Sequence, residues 1–139
     1  CPCGRSGYAG TKKLERIAQK GMRGAIIWAE PPDDRPYSHT AYDPFWAAAS
    51  ELNMPLSLHI LTGSKGMGID FFADNLALQV STLHHEVERS IAVFVLGGVL
   101  ERLPKLTIVS AENDVPECRI LCDGWILLTG GSARSLRSS

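Results

Sequence analysis

The sequence has almost no excess of charge and no long apolar segment. Its 14 basic and 15 acidic residues give a net charge of −1, so no basic surface predicts binding to nucleic acid or to anionic lipid. No segment approaches the roughly 18 consecutive apolar residues that a membrane-spanning helix needs. The first residues also lack the apolar region of a signal peptide. These absences, with 45% hydrophobic residues, indicate an ordinary globular protein with no nucleic-acid or membrane partner.

Cysteine is scarce and is confined to the two ends of the chain. The four cysteines are Cys1, Cys3, Cys118 and Cys122. They could form disulfides or hold a zinc ion, but no secretory signal accompanies them. The C-x-C spacing of the first pair also differs from the usual spacing in structural zinc sites. We therefore expect reduced thiols and a cytoplasmic protein.

Helical and strand patterns alternate three times along the chain. Three segments have the apolar spacing of amphipathic helices: residues 11–20, 43–52 and 73–96. Asp43 is suited to cap the second helix, and Gly97 and Gly98 are suited to end or loosen the third. After each helix comes a short apolar run typical of a buried strand, near residues 24–28, 56–59 and 106–110. The alternation predicts an α/β fold in which the three strands are parallel and adjacent in that order.

The ends of the chain differ from this central pattern. Residues 1–10 contain several glycines and a proline, and we expect them to be irregular. Residues 11–115 form the α/β unit. Residues 116–139 end in a Ser/Arg-rich stretch, so we expect an atypical and partly disordered tail.

Polar residues at the strand ends are the candidates for chemistry, because parallel α/β folds bind ligands at the C-terminal ends of their strands. The first strand ends near Trp28 to Glu30. His59 closes the second strand, where an imidazole can ligate a metal, act as a base or bond to the loop backbone. Glu112 follows the third strand, where a carboxylate can bind metal or accept a proton, and the adjacent Asn113 and Asp114 can instead cap a helix.

A second pair of imidazoles, His84 and His85, lies inside the third helical segment. Adjacent residues on a helix point about 100° apart, which predicts that the two rings cannot bind one ion together. We therefore expect a structural or solvated role for this pair.

Three segments, taken together, resemble the amidohydrolase-2 family of metal-dependent hydrolases and decarboxylases related to aminocarboxymuconate-semialdehyde decarboxylase. They are residues 14–25, 42–59 and 98–112. The second contains a Pro-x-x-x-His motif that ends at His59. The third contains a Gly-Val-x-Glu-Arg-x-Pro-x-Leu motif that begins at Gly98. The resemblance covers roughly residues 11–115.

The resemblance implies a partial (β/α)8 TIM barrel that contains about strands four to six with their helices. A full barrel takes about 250 residues, and the chain lacks both the family's His-x-His pair and the terminal strand with its ligand Asp. The resemblance also implies a divalent metal, zinc or manganese. His59 matches the metal ligand that ends the fifth strand, and Glu112 lies where relatives often carry a proton-transferring His.

The implied reaction is the hydrolysis or non-oxidative decarboxylation of a small carboxylic or aromatic acid. The implied partner is therefore a small-molecule substrate. Assembly of the chain into a homo-oligomer is compatible with this function. A catalytic zinc site needs about three protein ligands, and the resemblance supplies two candidates, His59 and Glu112. We therefore expect the isolated chain to be inactive, poorly soluble and a weak binder of metal. The alternative is a standalone, non-catalytic α/β binding or scaffolding domain.

Overall fold

A computed structural model describes residues 7–60, 62–63 and 75–111 of the chain. The helices are α1 (Gly7–Gln19), α2 (Asp43–Glu51), α3 (Leu76–Leu96) and α4 (Val99–Arg102). The strands are β1 (Ala25–Trp28), β2 (Leu56–His59) and β3 (Ile108–Ala111). A short 3-10 helix, Thr40–Tyr42, precedes α2. None of the described helices combines the length and apolarity needed to cross a membrane.

The three strands form one parallel sheet in the order β1-β2-β3. Ile27 pairs with Leu58, and Leu58 pairs with Ser110. The predicted parallel and sequential arrangement is therefore confirmed. All three strands end at the same edge of the sheet, because parallel strands run in one direction.

The two faces of the sheet differ in their cover. Successive side chains of a strand point to opposite faces. Ile27, Leu56 and Leu58 lie on one face and are fully buried in the core beneath the helices. On the other face Ile26 is 58% exposed and Val109 is 39% exposed. The register assigns six residues to this second face, which we call the open sheet face: Ile26, Trp28, Ser57, His59, Val109 and Ala111.

An aromatic cluster joins the loop after β1 to α2 and α3. The ring of Tyr37 lies 5.5 Å from that of Tyr42, 5.5 Å from that of Trp46 and 5.2 Å from that of Phe94, measured between centroids. The Tyr37 hydroxyl donates to the Trp28 carbonyl at 2.6 Å. Each such aromatic pair contributes about 0.5–1.5 kcal/mol beyond the area that it buries. The loop is therefore part of the core and fixes the end of β1.

Two predicted boundaries need correction. Helix α1 begins at Gly7, so residues 7–10 are helical rather than irregular. Asp43 is the first residue of α2 rather than its cap, because the 3-10 helix already gives Tyr42 a helical backbone. The Asp43 carboxylate instead accepts a hydrogen bond from Arg102 at 3.0 Å. Residues 1–6 and the tail 112–139, with all four cysteines, lie outside the described residues.

Candidate functional site

His59 is the last residue of β2, the central strand of the sheet. It pairs with Trp28 on one side and with Ala111 on the other. Its side chain is half-buried and belongs to the open sheet face. The structure therefore has an imidazole at the edge where parallel α/β folds bind their ligands.

The orientation of the His59 ring determines which nitrogen can coordinate a metal. Its Nδ1 lies 2.8 Å from the carbonyl oxygen of Ile60. A carbonyl oxygen can only accept, so Nδ1 carries the proton and the lone pair lies on Nε2. Histidines that ligate metals usually donate their other N–H to a carbonyl or a carboxylate in this way. His59 can therefore bond to the loop backbone through Nδ1 and coordinate a metal through Nε2 at the same time.

Thr62 connects the ends of β1 and β2 beside this imidazole. Its hydroxyl donates to the His59 carbonyl at 2.5 Å and accepts from the Ala29 amide at 2.8 Å. Its own carbonyl accepts from the Ala29 amide at 3.0 Å. These bonds fix the backbone at the ends of β1 and β2, and so they limit how far the backbone of His59 can move.

Glu30 follows β1 at the same edge, but its contacts turn it toward α3. Its Oε1 accepts from Arg89 at 2.5 Å, and Arg89 also donates to Glu86 at 2.7 Å. Its Oε2 is buried and has no hydrogen-bond partner among the described residues. Burial, and then the neighbouring charge of Glu86, raise the pKa of Glu30 above its ordinary value, although Arg89 opposes the shift. Glu30 thus belongs to an ion-pair group on α3 in this structure.

Glu112, the second residue implicated by the family resemblance, lies outside the described residues. The residue before it, Ala111, is the strand partner of His59. From the sequence we expect the side chains of His59 and Glu112 to converge on one cleft at this end of the sheet, and this stays a prediction. Among the described residues, the open sheet face supplies one imidazole at this edge, whereas a catalytic zinc site uses about three protein ligands. The described part of the chain therefore fits one ligand of such a site rather than the whole of it.

A second group of potential ligands, which the sequence reasoning dismissed, lies on α3. The His84 and His85 rings are 4.1 Å apart between centroids. With Glu88 they offer three ligand atoms that lie within 4.8 Å of one another. The expectation that the two rings point apart is therefore wrong, since rotation about the side-chain bonds brings together rings whose Cβ atoms point apart. The spacing of His84 and Glu88, four residues along one helix face, was the signal that could have revealed the group.

The sequence matches a known protein family. The family model described as amidohydrolase matches residues 1–119, so it includes residues 1–10, which we expected to be irregular, and the first four residues of the tail that we expected to be atypical. No curated protein matches the sequence.

The fold resembles that of several solved structures, including the following three. An amidohydrolase from Mycobacterium avium subsp. paratuberculosis is 20% identical, with a TM-score of 0.70 over 88% of this chain and 33% of that one. A protein described as an amidohydrolase from Staphylococcus aureus is 24% identical, with a TM-score of 0.58 over 74% of this chain and 36% of that one. The 5-carboxyvanillate decarboxylase of Sphingomonas paucimobilis is 22% identical, with a TM-score of 0.62 over 79% of this chain and 32% of that one. The chain thus spans about a third of the length of these structures.

Proposed function

The chain belongs to the amidohydrolase family, and from this premise we propose that it is the part of a metal-dependent (β/α)8 barrel that contains about strands four to six with their helices. The parallel order β1-β2-β3 supports this assignment. So does the contrast between the helix-covered face and the open sheet face, because the inner strand face of a barrel packs against the other strands. In this proposal the barrel segment runs from α1, which begins at Gly7, to about residue 115, and residues 120–139, which lie beyond the family match, are atypical.

The proposed reaction is the hydrolysis or non-oxidative decarboxylation of a small carboxylic or aromatic acid. One of the similar structures is a decarboxylase and two others are named amidohydrolases. We therefore keep both hydrolysis and decarboxylation in the proposal. A bound zinc or manganese ion would polarise a carbonyl group or activate water. The small-molecule substrate and the cytoplasmic location stay predictions.

The observation that carries the proposal is the placement of His59. It ends the central strand, it belongs to the open sheet face, and its Nδ1 is engaged by the Ile60 carbonyl. His59 would hold the metal through Nε2. Glu112 would move a proton or bind in the outer shell of the metal. The remaining ligands would come from barrel segments other than residues 11–115, so the isolated chain is expected to be inactive.

The test begins with the coding sequence on either side of these 139 residues. A His-x-His pair encoded upstream would allow the complete barrel to be expressed and assayed with small carboxylic and aromatic acids. Carbon dioxide release and hydrolysis should be followed separately, together with metal content. We expect His59→Ala to lower both metal content and turnover.

His39→Ala is the control, because His39 is exposed and its ring accepts only a local bond from the Ala41 amide at 3.1 Å. Undiminished metal content and turnover in His59→Ala would contradict the assigned role of His59. Start and stop signals immediately around the chain, together with no upstream pair, would favour the non-catalytic binding or scaffolding domain.

A further inference from the structure

We propose that α3 carries a second metal-binding site, separate from His59, in which His84, His85 and Glu88 hold a zinc-class ion. The three residues belong to the helix layer and not to the open sheet face. The proposal does not depend on the reaction proposed above.

The three ligand atoms are already close to the separation that an ion requires. His85 Nδ1 lies 3.0 Å from a carboxylate oxygen of Glu88, Oε2. All three ligand atoms lie within 4.8 Å of one another. Two ligands of a tetrahedral zinc ion, with bonds of about 2.1 Å, are separated by about 3.4 Å. Small side-chain rotations are therefore enough to admit the ion.

The backbone of α3 places two of these ligands on one helix face before any ion binds. His84 and Glu88 are four residues apart, and such residues lie on the same face of a helix. His84 is half-buried and His85 is exposed, while the Glu88 side chain is 19% exposed. The site is thus open to solvent on one side, so an ion can enter and can complete its coordination with water.

Glu88 carries an independent sign of a missing partner. Its Oε1 is buried and has no hydrogen-bond partner in the part of the chain that the structure describes. The nearest cation in sequence, Arg89, is engaged by Glu30 and Glu86 rather than by Glu88. A buried carboxylate oxygen without a partner is costly. A bound cation would supply that partner.

The ligand set determines which ions should bind. Two imidazoles and one carboxylate suit zinc, and also nickel and copper, whereas magnesium and calcium prefer ligands that are all oxygen. We therefore expect zinc to bind and magnesium to fail at the same concentration.

The experiment is a calorimetric zinc titration of the full chain after alkylation of its four cysteines, so that thiolates do not bind the metal. We expect one zinc ion per chain. His84→Ala and Glu88→Gln should each weaken binding at least about tenfold, since even loss of an outer-shell partner typically costs 10–100-fold. Circular dichroism of each variant will show that the helix is retained.

Glu86→Gln is the matched control, because it makes the same chemical change on the same helix in a residue that pairs with Arg89. His59→Ala separates this site from the one at the strand end. Both controls should bind zinc like the parent chain. In the parent, the imidazole NMR signals of His84 and His85 should shift on addition of zinc while that of His39 stays in place.

Three results would overturn the inference: no zinc binding by the parent, binding that persists unchanged in both His84→Ala and Glu88→Gln, or loss of binding in His59→Ala alone. The last result would locate the ion at the strand end. It would support the proposed function while removing the site on α3, so the two ideas can fail separately.

Discussion

Tyr37 is a polar residue at the centre of the aromatic core, although it lies in a loop. Its side chain is fully buried, and its hydroxyl donates to the Trp28 carbonyl at the end of β1. Burial raises the pKa of Tyr37 far above its ordinary value, and the neighbouring Tyr42 adds to the shift. The neutral phenol is therefore the form that the folded chain holds.

This shift predicts a loss of stability at alkaline pH. The unfolded chain releases the Tyr37 proton near pH 10 while the folded chain retains it, so the free energy of unfolding falls as the pH rises above about 10. Tyr37→Phe should make that fall less steep, by up to about 1.4 kcal/mol per pH unit. Urea unfolding between pH 9 and about 12 measures the slope.

Tyr42→Phe is the comparison. The pKa of Tyr42 is also raised by burial, but Arg35 opposes the shift. This variant should therefore change the slope less than Tyr37→Phe does. Equal slopes for the parent and Tyr37→Phe would show that the Tyr37 hydroxyl ionises normally in the folded chain.

Single residues also show how far the sequence could predict the candidate site. His59 could be placed at a strand end because a short apolar run and a glycine-containing loop bound it. Its ring orientation could not be predicted, since it depends on the Ile60 carbonyl after the strand turns. The close approach of the His84 and His85 rings could not be predicted either. Helical spacing fixes the directions of the Cβ atoms but does not determine the side-chain rotations.

At the scale of elements, the periodic parts of the chain were predictable and the beginning of the first helix was not. The apolar spacing identified all three strands and the three long helices, because burial on one face determines that spacing. The start of α1 was missed, since Gly7 and Gly10 have low helical propensity. Gly10 is buried within the fold, and tertiary packing of this kind overrides a weak local preference.

The junction between α3 and α4 gives a prediction at this scale. Gly97 follows α3 directly, and a Cβ atom there would overlap Ser38 Cβ and the Val93 carbonyl oxygen. Gly97→Ala must therefore displace either the loop at Ser38 or the end of α3. We expect a loss of about 1–3 kcal/mol in the free energy of unfolding, the usual cost of overpacking, measured by urea unfolding.

Leu96→Ala is the neighbouring control. Leu96 is 60% exposed, and a surface substitution of this kind usually stays within about 0.5 kcal/mol. A Gly97→Ala chain as stable as the parent would mean that Ser38 and the helix end can move apart without cost.

For the whole molecule, the main feature is the open sheet face, on which Ile26 and Val109 are exposed. Parallel sheets are almost always covered on both faces, and here the described helices cover one. Within the described sheet, β1 and β3 each have a strand neighbour on one side. Exposed strand edges and apolar patches both favour association with other chains. We therefore expect the open sheet face and the outer edges of β1 and β3 to cause the predicted poor solubility of the isolated chain.

The last prediction is that lysines on the open sheet face will suppress this association. Ile26 and Val109 are exposed apolar residues at paired positions around Ser57. The double variant Ile26→Lys/Val109→Lys places two charges where another apolar surface would have to pack. Burying these charges without partners is costly. We expect the parent to form oligomers in sedimentation velocity and this variant to stay monomeric at the same concentration, with unchanged far-ultraviolet circular dichroism. Met22→Lys/Leu96→Lys is the matched control, because it adds the same charge at residues that are 59% and 60% exposed but lie outside the sheet. If this control suppressed association equally, net charge rather than the open sheet face would govern solubility.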